Sequence, residues 1–401
     1  MDTLPASYRR RTPEPARPHD GLRRALAAVL VVAVVLLALA GISLWGAWRT
    51  PGNQSFQAKW ADWLRSHHAA ALANATEQYY YSHHQPHKGG QPARLNVIPP
   101  PSRASTPPRA RPAQAPAGLP SPAPVPLVVS PALPGEGRWT PADAIVDGRP
   151  AMYVAQFRAD TIYTSQITSA VWIDPTRLHI ALVPGAHEPG GTWAQSPDIT
   201  GAALPMAVAA FNGGFRFADA HGGFFLDGRM AVPLQPGAAS MIIYDNGRID
   251  IGSWGREVAM TGGVSAVLQN LVPIVDHGQT SPDATYNDTR IWGATLGANT
   301  VVARSGVGIT ATGALVYVAG PALTARSLAE SLQRAGAIRA MALDINPEWV
   351  TFNFFTHPNG ADPAQVVPAK LYPQMQRPAD RYLGPTPESR DFFSVSLPEP
   401  A

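Results

Sequence analysis

The chain has 401 residues, 45% hydrophobic and 15% charged, with 42 prolines, 35 glycines and no cysteine. The lack of cysteine excludes a disulfide framework, a thiolate-bound zinc or iron–sulfur centre and a cysteine nucleophile. Charge is unevenly held: residues 1–24 carry six arginines against three acids, residues 49–135 eight basic groups against two acids, and residues 136–401 seventeen against twenty-three. The part able to fold is acidic, which argues against a nucleic-acid partner, since tracking phosphates needs a dense basic face.

Residues 1–24 form an Arg-rich tail, and residues 25–48, from Ala25 to Trp48, follow without a single charge. As a helix, this run of about 36 Å is long enough for a hydrocarbon core of about 30 Å. Trp45 and Trp48 suit the headgroup boundary at its far end, and the arginines ahead of it predict a cytoplasmic N-terminus. The expectation is a single-pass signal-anchor in the plasma (inner) membrane, with the rest of the chain extracytoplasmic. Ala38-Leu39-Ala40 resembles a signal-peptide cleavage site, but the apolar run continues past it.

Residues 49–135 read as a juxtamembrane segment followed by a disordered, Pro-rich stalk. Trp60, Trp63 and Leu64 suit a short helix, while His67, His68, His83, His84 and His87 show no metal-ligand spacing. Between Pro86 and Pro134 there are 15 prolines in 49 residues, the composition of a semi-rigid spacer without a core.

From 136 to 401 the pattern changes to short apolar runs punctuated by Gly, Pro and Asp. Strands are predicted over 152–157, 170–173, 178–183, 207–211, 223–226, 241–244, 315–318 and 341–345. One helix stands out after Thr324 as N-cap, with Leu328 and Leu332 on one face and Gly336 as its stop. Many strands and few helices predict a single α+β domain.

Three patterns carry candidate chemistry. The strand ending Phe211-Asn212-Gly213-Gly214-Phe215 suggests a backbone that approaches something closely; His221-Gly222-Gly223 follows it. Arg304, leading into Ser305-Gly306-Val307-Gly308, suits recognition of phosphate or carboxylate. Leu343-Asp344-Ile345-Asn346-Pro347-Glu348-Trp349 puts a carboxylate at a strand end, and in extended conformation Asp344, Asn346 and Glu348 share a face. Two such carboxylates can divide the roles of glycoside cleavage, and their oxygens also suit calcium, though the length and glycine of a calcium loop are lacking. No nucleotide loop, zinc motif or hydrolase nucleophile elbow is present.

In order and spacing these patterns, from Ala207 to Asp344, resemble the phosphodiester glycosidase domain family. Leu271-Val272-Pro273-Ile274-Val275-Asp276-His277-Gly278 resembles the segment between that family's motifs. The resemblance implies hydrolysis of a sugar-1-phosphodiester at its glycosidic bond. It also implies that Asn212, Gly213 and Gly214 match the Asn-Gly-Gly motif, Arg304 the family arginine and Asp344 the aspartate of a Leu-Asp-Gly-Gly-Gly-Ser motif. After Asp344 the chain departs from that motif, with Ile-Asn-Pro-Glu-Trp in place of the glycines, so anion binding by backbone N–H groups is weakened.

The expected catalytic set is Asp344 as base or nucleophile, Glu348 as acid partner and Arg304 on the leaving group. Asn212, Gly213, Gly214, Asn346, Trp349, Asp276 and His277 are expected at the substrate, with Arg256, Glu257 and His221 ranked lower. No cofactor is expected beyond the calcium alternative, and the partners are a carbohydrate or sugar-phosphate substrate and the lipid bilayer through residues 25–48. The rival expectation is a non-catalytic glycan-binding or envelope polysaccharide biogenesis protein on the same fold. High Ala, Pro and Arg content fits a bacterium of high genomic GC.

Overall fold

Short β-branched and aromatic runs separated by turn residues pair here into antiparallel sheets. The computed structural model describes residues 18–50, 54–69, 71–73, 75–76, 79, 85–92, 94–96, 118–293, 300–358 and 365–398. The tail before Pro18, His83, His84 and most of the proline-rich stretch lie outside these residues.

Helix α1 spans Pro18–Arg49, and its portion Gly21–Arg49, with an unburied 18-residue window of mean hydropathy 3.0, is long and apolar enough to cross a membrane. Helix α2, Phe56–Ser66, is the short helix expected around Trp60, Trp63 and Leu64, capped where the Ala58 N–H donates to Ser55 Oγ. It packs on the end of α1: Trp60 Nε1 donates to Ser43 Oγ at 2.9 Å, and the Trp63 indole lies so close to Gly46 that a Cβ there would overlap it.

The domain is α+β. An eight-stranded sheet runs, in spatial order, through 140–141, 152–157, 168–173, 315–323, 302–310, 337–342, 273–276 and 279–280. A five-stranded sheet holds 249–253, 239–244, 264–269, 224–226 and 229–232. A second five-stranded sheet holds 367–370, 352–356, 207–212, 392–396 and 179–183. The main core fills the space between sheets with Met152, Phe211, Met241, Tyr317, Phe352 and Phe393.

The predicted helix is Ala325–Arg334, closed by a capping box between Thr324 and Ser327. Its Leu328 and Leu332 seat on the eight-stranded sheet at Gly306, where a Cβ would meet the Met341 carbonyl at 2.9 Å. All eight predicted strands are present. The last is shifted, however: it ends at Ala342, before Asp344. Strands such as Val264–Gln269, Phe352–Thr356 and Phe392–Ser396 were not singled out by the sequence.

The stalk also needs correction, because residues 118–135 pack against the domain. Leu119 N–H donates to Asp174 Oδ2 at 2.8 Å, and the buried Val125 pairs its N–H with the Gly137 carbonyl at 2.9 Å. Further back, Gly89 N–H donates to the Ile162 carbonyl at 2.7 Å. This edge is held by a buried ion pair. Arg158 donates to Glu136 through Nε (3.0 Å) and Nη2 (2.7 Å), and also to the Pro131 carbonyl (2.6 Å). Both charged side chains are 1% exposed. Removing one partner of such a pair leaves an unpaired buried charge. Glu136→Ala is therefore expected to cost about 3–5 kcal/mol in chemical denaturation; an unchanged midpoint would separate residues 118–136 from the cooperative unit.

Candidate active site

The site forms where two strand ends from different sheets meet. Ala207–Asn212 runs out into Gly213-Gly214, and Ala337–Ala342 runs out into Leu343-Asp344. Ser305 joins them. Its N–H donates to the Asp344 carbonyl at 2.9 Å, while its hydroxyl accepts from Asp344 N–H at 3.2 Å and from Asn212 Nδ2 at 3.1 Å. Asn212 Oδ1 accepts from Tyr317 Oη (3.0 Å) and Thr351 N–H (3.1 Å). Its amide is thus spent on the scaffold, and the expected sugar contact is not what it makes.

The two glycines of the motif are required by close approach. A Cβ at Gly213 would overlap Asp391 Oδ2 and sit 2.7 Å from that residue's carbonyl. One at Gly214 would meet the Asn270 side chain at 2.9 Å. Asn270 in turn donates to the carbonyls of Ala342 and Leu343, each at 2.8 Å, tying the glycine loop to the strand that ends at Asp344.

Asp344 is buried. Its Oδ1 accepts from the N–H groups of Ile345 (2.8 Å) and Asn346 (2.9 Å), and Oδ2 accepts from Arg390 Nη1 at 2.9 Å. Burial pushes its pKa up against the opposing pull of Arg390 and those two N–H groups. Asp391, the neighbour of Arg390, is also buried, and its Oδ2 has no hydrogen-bond partner among the described residues. Burial, reinforced by the nearby Glu188 carboxylate, pushes its pKa up to about 8. The site therefore sets a carboxyl of raised pKa beside an arginine-paired one.

Segment 344–349 is a turn rather than a strand, so Asp344, Asn346 and Glu348 do not share a face as expected. Asn346 Oδ1 accepts from Glu348 N–H at 2.9 Å, which closes the turn. Glu348 Oε1 accepts from Arg377 Nη1 and from Ser55 N–H, both at 2.8 Å. Arg381 pairs with Glu388 at 2.6 Å. Trp349 lies among these cations, with Arg390 4.2 Å from its ring centre and Arg381 at 5.3 Å. The ring expected at the substrate is thus covered by guanidinium. With Asp344 and Glu348 both held by arginine, their oxygens form no cation cage of the kind calcium takes.

Arg304 stands apart. Alternation along its strand turns Ser305 toward Asp344 and Arg304 to the other side. There it donates to the carbonyls of Leu323 (3.1 Å), Trp292 (3.0 Å), Thr300 (3.2 Å) and Gly293 (3.4 Å). Burial lowers its pKa to about 10, still charged at neutral pH. It clamps backbone on both sides of 294–299, and this geometry does not bring it to the leaving group.

Asp276 and His277 are also remote. Val275 pairs with Ala340, which leaves Asp276 about 15–20 Å along the sheet from Asp344. Glu257, Asp276 and His277 cluster within 4.8 Å, but Arg256 already bridges the two carboxylates at 2.7 and 3.2 Å. His221 is exposed in the left-handed region at the end of a short helical turn. Arg390, Asp391, Arg377 and Arg381 were not recognised in the sequence. Their one signal was the charged run Glu388-Ser389-Arg390-Asp391 just before an apolar strand.

Residues 205–344 match the family model for phosphodiester glycosidase. That segment is a phosphodiester glycosidase-like domain. The match covers about a third of the chain and takes in Asn212, Arg304 and Asp344, leaving Glu348, Arg390 and Asp391 beyond its end. Among solved structures, the chain is similar to the catalytic domain of zebrafish N-acetylglucosamine-1-phosphodiester alpha-N-acetylglucosaminidase, auto-inhibited by its pro-peptide. The identity is 14%, with 64% of this chain and 86% of that chain covered and a TM-score of 0.42. It is also similar to a hypothetical protein from Synechocystis, at 12% identity, 63% and 65% coverage and a TM-score of 0.32. No curated protein sequence matches it.

The raised pKa of Asp391 has a consequence for stability. Between the ordinary aspartate value of 3.8 and about 8 the folded state holds a proton that the unfolded state has lost. Stability therefore falls as pH rises through that window. Asp391→Asn, neutral at every pH, is expected to unfold at higher temperature than the parent at pH 8 and at a similar temperature near pH 4. Parallel melting curves against pH for the two proteins would show that Asp391 is ionised in the fold.

Proposed function

We propose that the chain is a membrane-anchored, extracytoplasmic carbohydrate hydrolase that cleaves the glycosidic bond of a sugar-1-phosphodiester or a related envelope glycan. α1 is read as a single-pass anchor in the plasma membrane, its N-terminus cytoplasmic by the positive-inside rule. The observation that carries the reading is the buried Asp344–Arg390 pair beside Asp391, whose Oδ2 has no hydrogen-bond partner among the described residues, where the family match ends.

In this reading Asp344, bonded to Arg390, is base or nucleophile at the anomeric carbon. Water adds to that carbon, the bond from carbon to the phosphate oxygen breaks, and sugar and phosphomonoester are released. Arg390 takes the leaving-group role expected of Arg304, because its guanidinium reaches the site. Asp391 takes the acid role expected of Glu348, whose Oε1 is already taken by Arg377 and Ser55. A leaving phosphate needs little proton assistance, so Asp391 matters more for a neutral leaving group.

The glycan-binder reading has less support. It would be favoured by scattered, solvated carboxylates, and here Asp344, Glu348 and Asp391 are buried.

Asp344→Asn and Arg390→Gln are each expected to lower sugar release from a panel of glycosyl-1-phosphodiesters by about 10²–10⁴-fold, followed by mass spectrometry on the full chain. Arg304→Met is expected to lower the melting temperature first. Undiminished turnover by folded Asp344→Asn would sink the assignment.

A further inference from the structure

Between α2 and the turn that follows Asp344 lies a cavity of about 580 Å³. Trp60, Ala61 and Leu64 of α2 give it an apolar wall, and Asn346, Glu348 and Arg377 give it a polar floor. Ligand pockets commonly have volumes of about 300–1,000 Å³, apolar walls and a few convergent polar groups.

The position of this cavity says what would enter it. On one side, α2 rests on the end of α1 through the bond from Trp60 to Ser43 and the packing of Trp63 on Gly46. The apolar wall is therefore continuous with the end of the membrane-crossing helix. On the other side, Asn346 N–H is bonded to Asp344 Oδ1 at 2.9 Å, so the polar floor adjoins the candidate catalytic carboxylate. Arg377 pairs with Glu348 at 2.8 Å and reaches Glu388 at 4.0 Å, so the floor has little positive charge left to capture a free anion. Affinity must then come from the apolar wall, which rewards an aliphatic chain and gives nothing to a small soluble sugar phosphate.

We propose that this cavity holds the aliphatic aglycone of a membrane-inserted glycosyl phosphodiester, with the sugar-phosphate end at Asp344 and the chain leaving along α2 toward the bilayer. The proposal rests on the glycosidase reading and on α1 as an anchor. It adds that the substrate is a lipid-linked amphiphile rather than a soluble glycan.

The test uses the full-length chain in phosphatidylcholine nanodiscs, photolabelled with farnesyl phosphate carrying a diazirine. Labelling is expected in peptides holding Trp60–Leu64 or Gln376–Pro378, competed by unlabelled farnesyl phosphate and not by methyl phosphate. Ala61→Trp, which fills the cavity, and Leu64→Gln, which makes its wall polar, are each expected to reduce labelling at least about tenfold. Labelling confined to other peptides, or unchanged in both variants, would overturn the site, as would equal competition by methyl phosphate. Parallel assays with methyl and farnesyl glycosyl phosphodiesters separate the two readings. Turnover of the methyl ester without cavity labelling overturns the lipid site and leaves the glycosidase intact. Cavity labelling with no phosphodiester turned over overturns the proposal through the glycosidase reading instead.

Discussion

A charge taken out of water must find a partner or lose its proton, and the face of the domain around Trp349 is built on that constraint. Asp344, Glu348 and Glu388 are buried together with Arg377 and Arg381, while Arg390 sits at the partly exposed edge. Each of these carboxylates takes an arginine. Asp391 has none, and burial pushes its pKa up to about 8. Two aspartates near one another thus have different surroundings, one held by arginine and one not, the kind of asymmetry that can divide acid and base roles.

The sheets make this arrangement possible. Asn212 is buried and saturated with bonds from Ser305, Tyr317 and Thr351, so it acts as the rivet between two sheets. Gly213 and Gly214 let the backbone pass against Asp391 and Asn270 without a Cβ in the way. The most recognisable sequence motif of the domain is thus a set of positioning residues, and the groups they position come from elsewhere. Asp344 belongs to the end of one strand, and Arg390 and Asp391 to the approach of the last strand, paired beside Asn212.

The segment that follows α1 is part of the same arrangement. α2 is anchored to the domain by Ser55 on Glu348 and by Asp62 on Arg216, at 2.8 and 2.9 Å, and to α1 by Trp60. The chain from 118 to 135 returns along the domain edge and closes with the Arg158–Glu136 pair. Proline content alone suggested a spacer here. Prolines leave carbonyls free, however, and Arg158 and Arg334 use those of Pro131 and Pro126 to hold the segment down.

Much was legible in the sequence because it depends on local physics. An uncharged run of helical length, period-two apolar segments, and Thr324 with Leu328, Leu332 and Gly336 encode the apolar helix, the strands and the one long helix of the domain. The family motif marked Asp344 and the Asn-Gly-Gly turn. The partners of Asp344 were not legible. Arg390 is 46 residues away, and nothing local distinguishes it from Arg304. Spacing favoured Arg304 and Glu348, yet strand alternation turned the first into a cage of carbonyls, and a turn at Pro347 delivered the second to Arg377. The sequence by itself determined which segments become helix, strand and close-approach turn, since those choices are settled by neighbours within a few residues. Only the tertiary structure decided which charges share a buried site and which of them keeps a proton, because burial and pairing depend on groups that meet only when the sheets close.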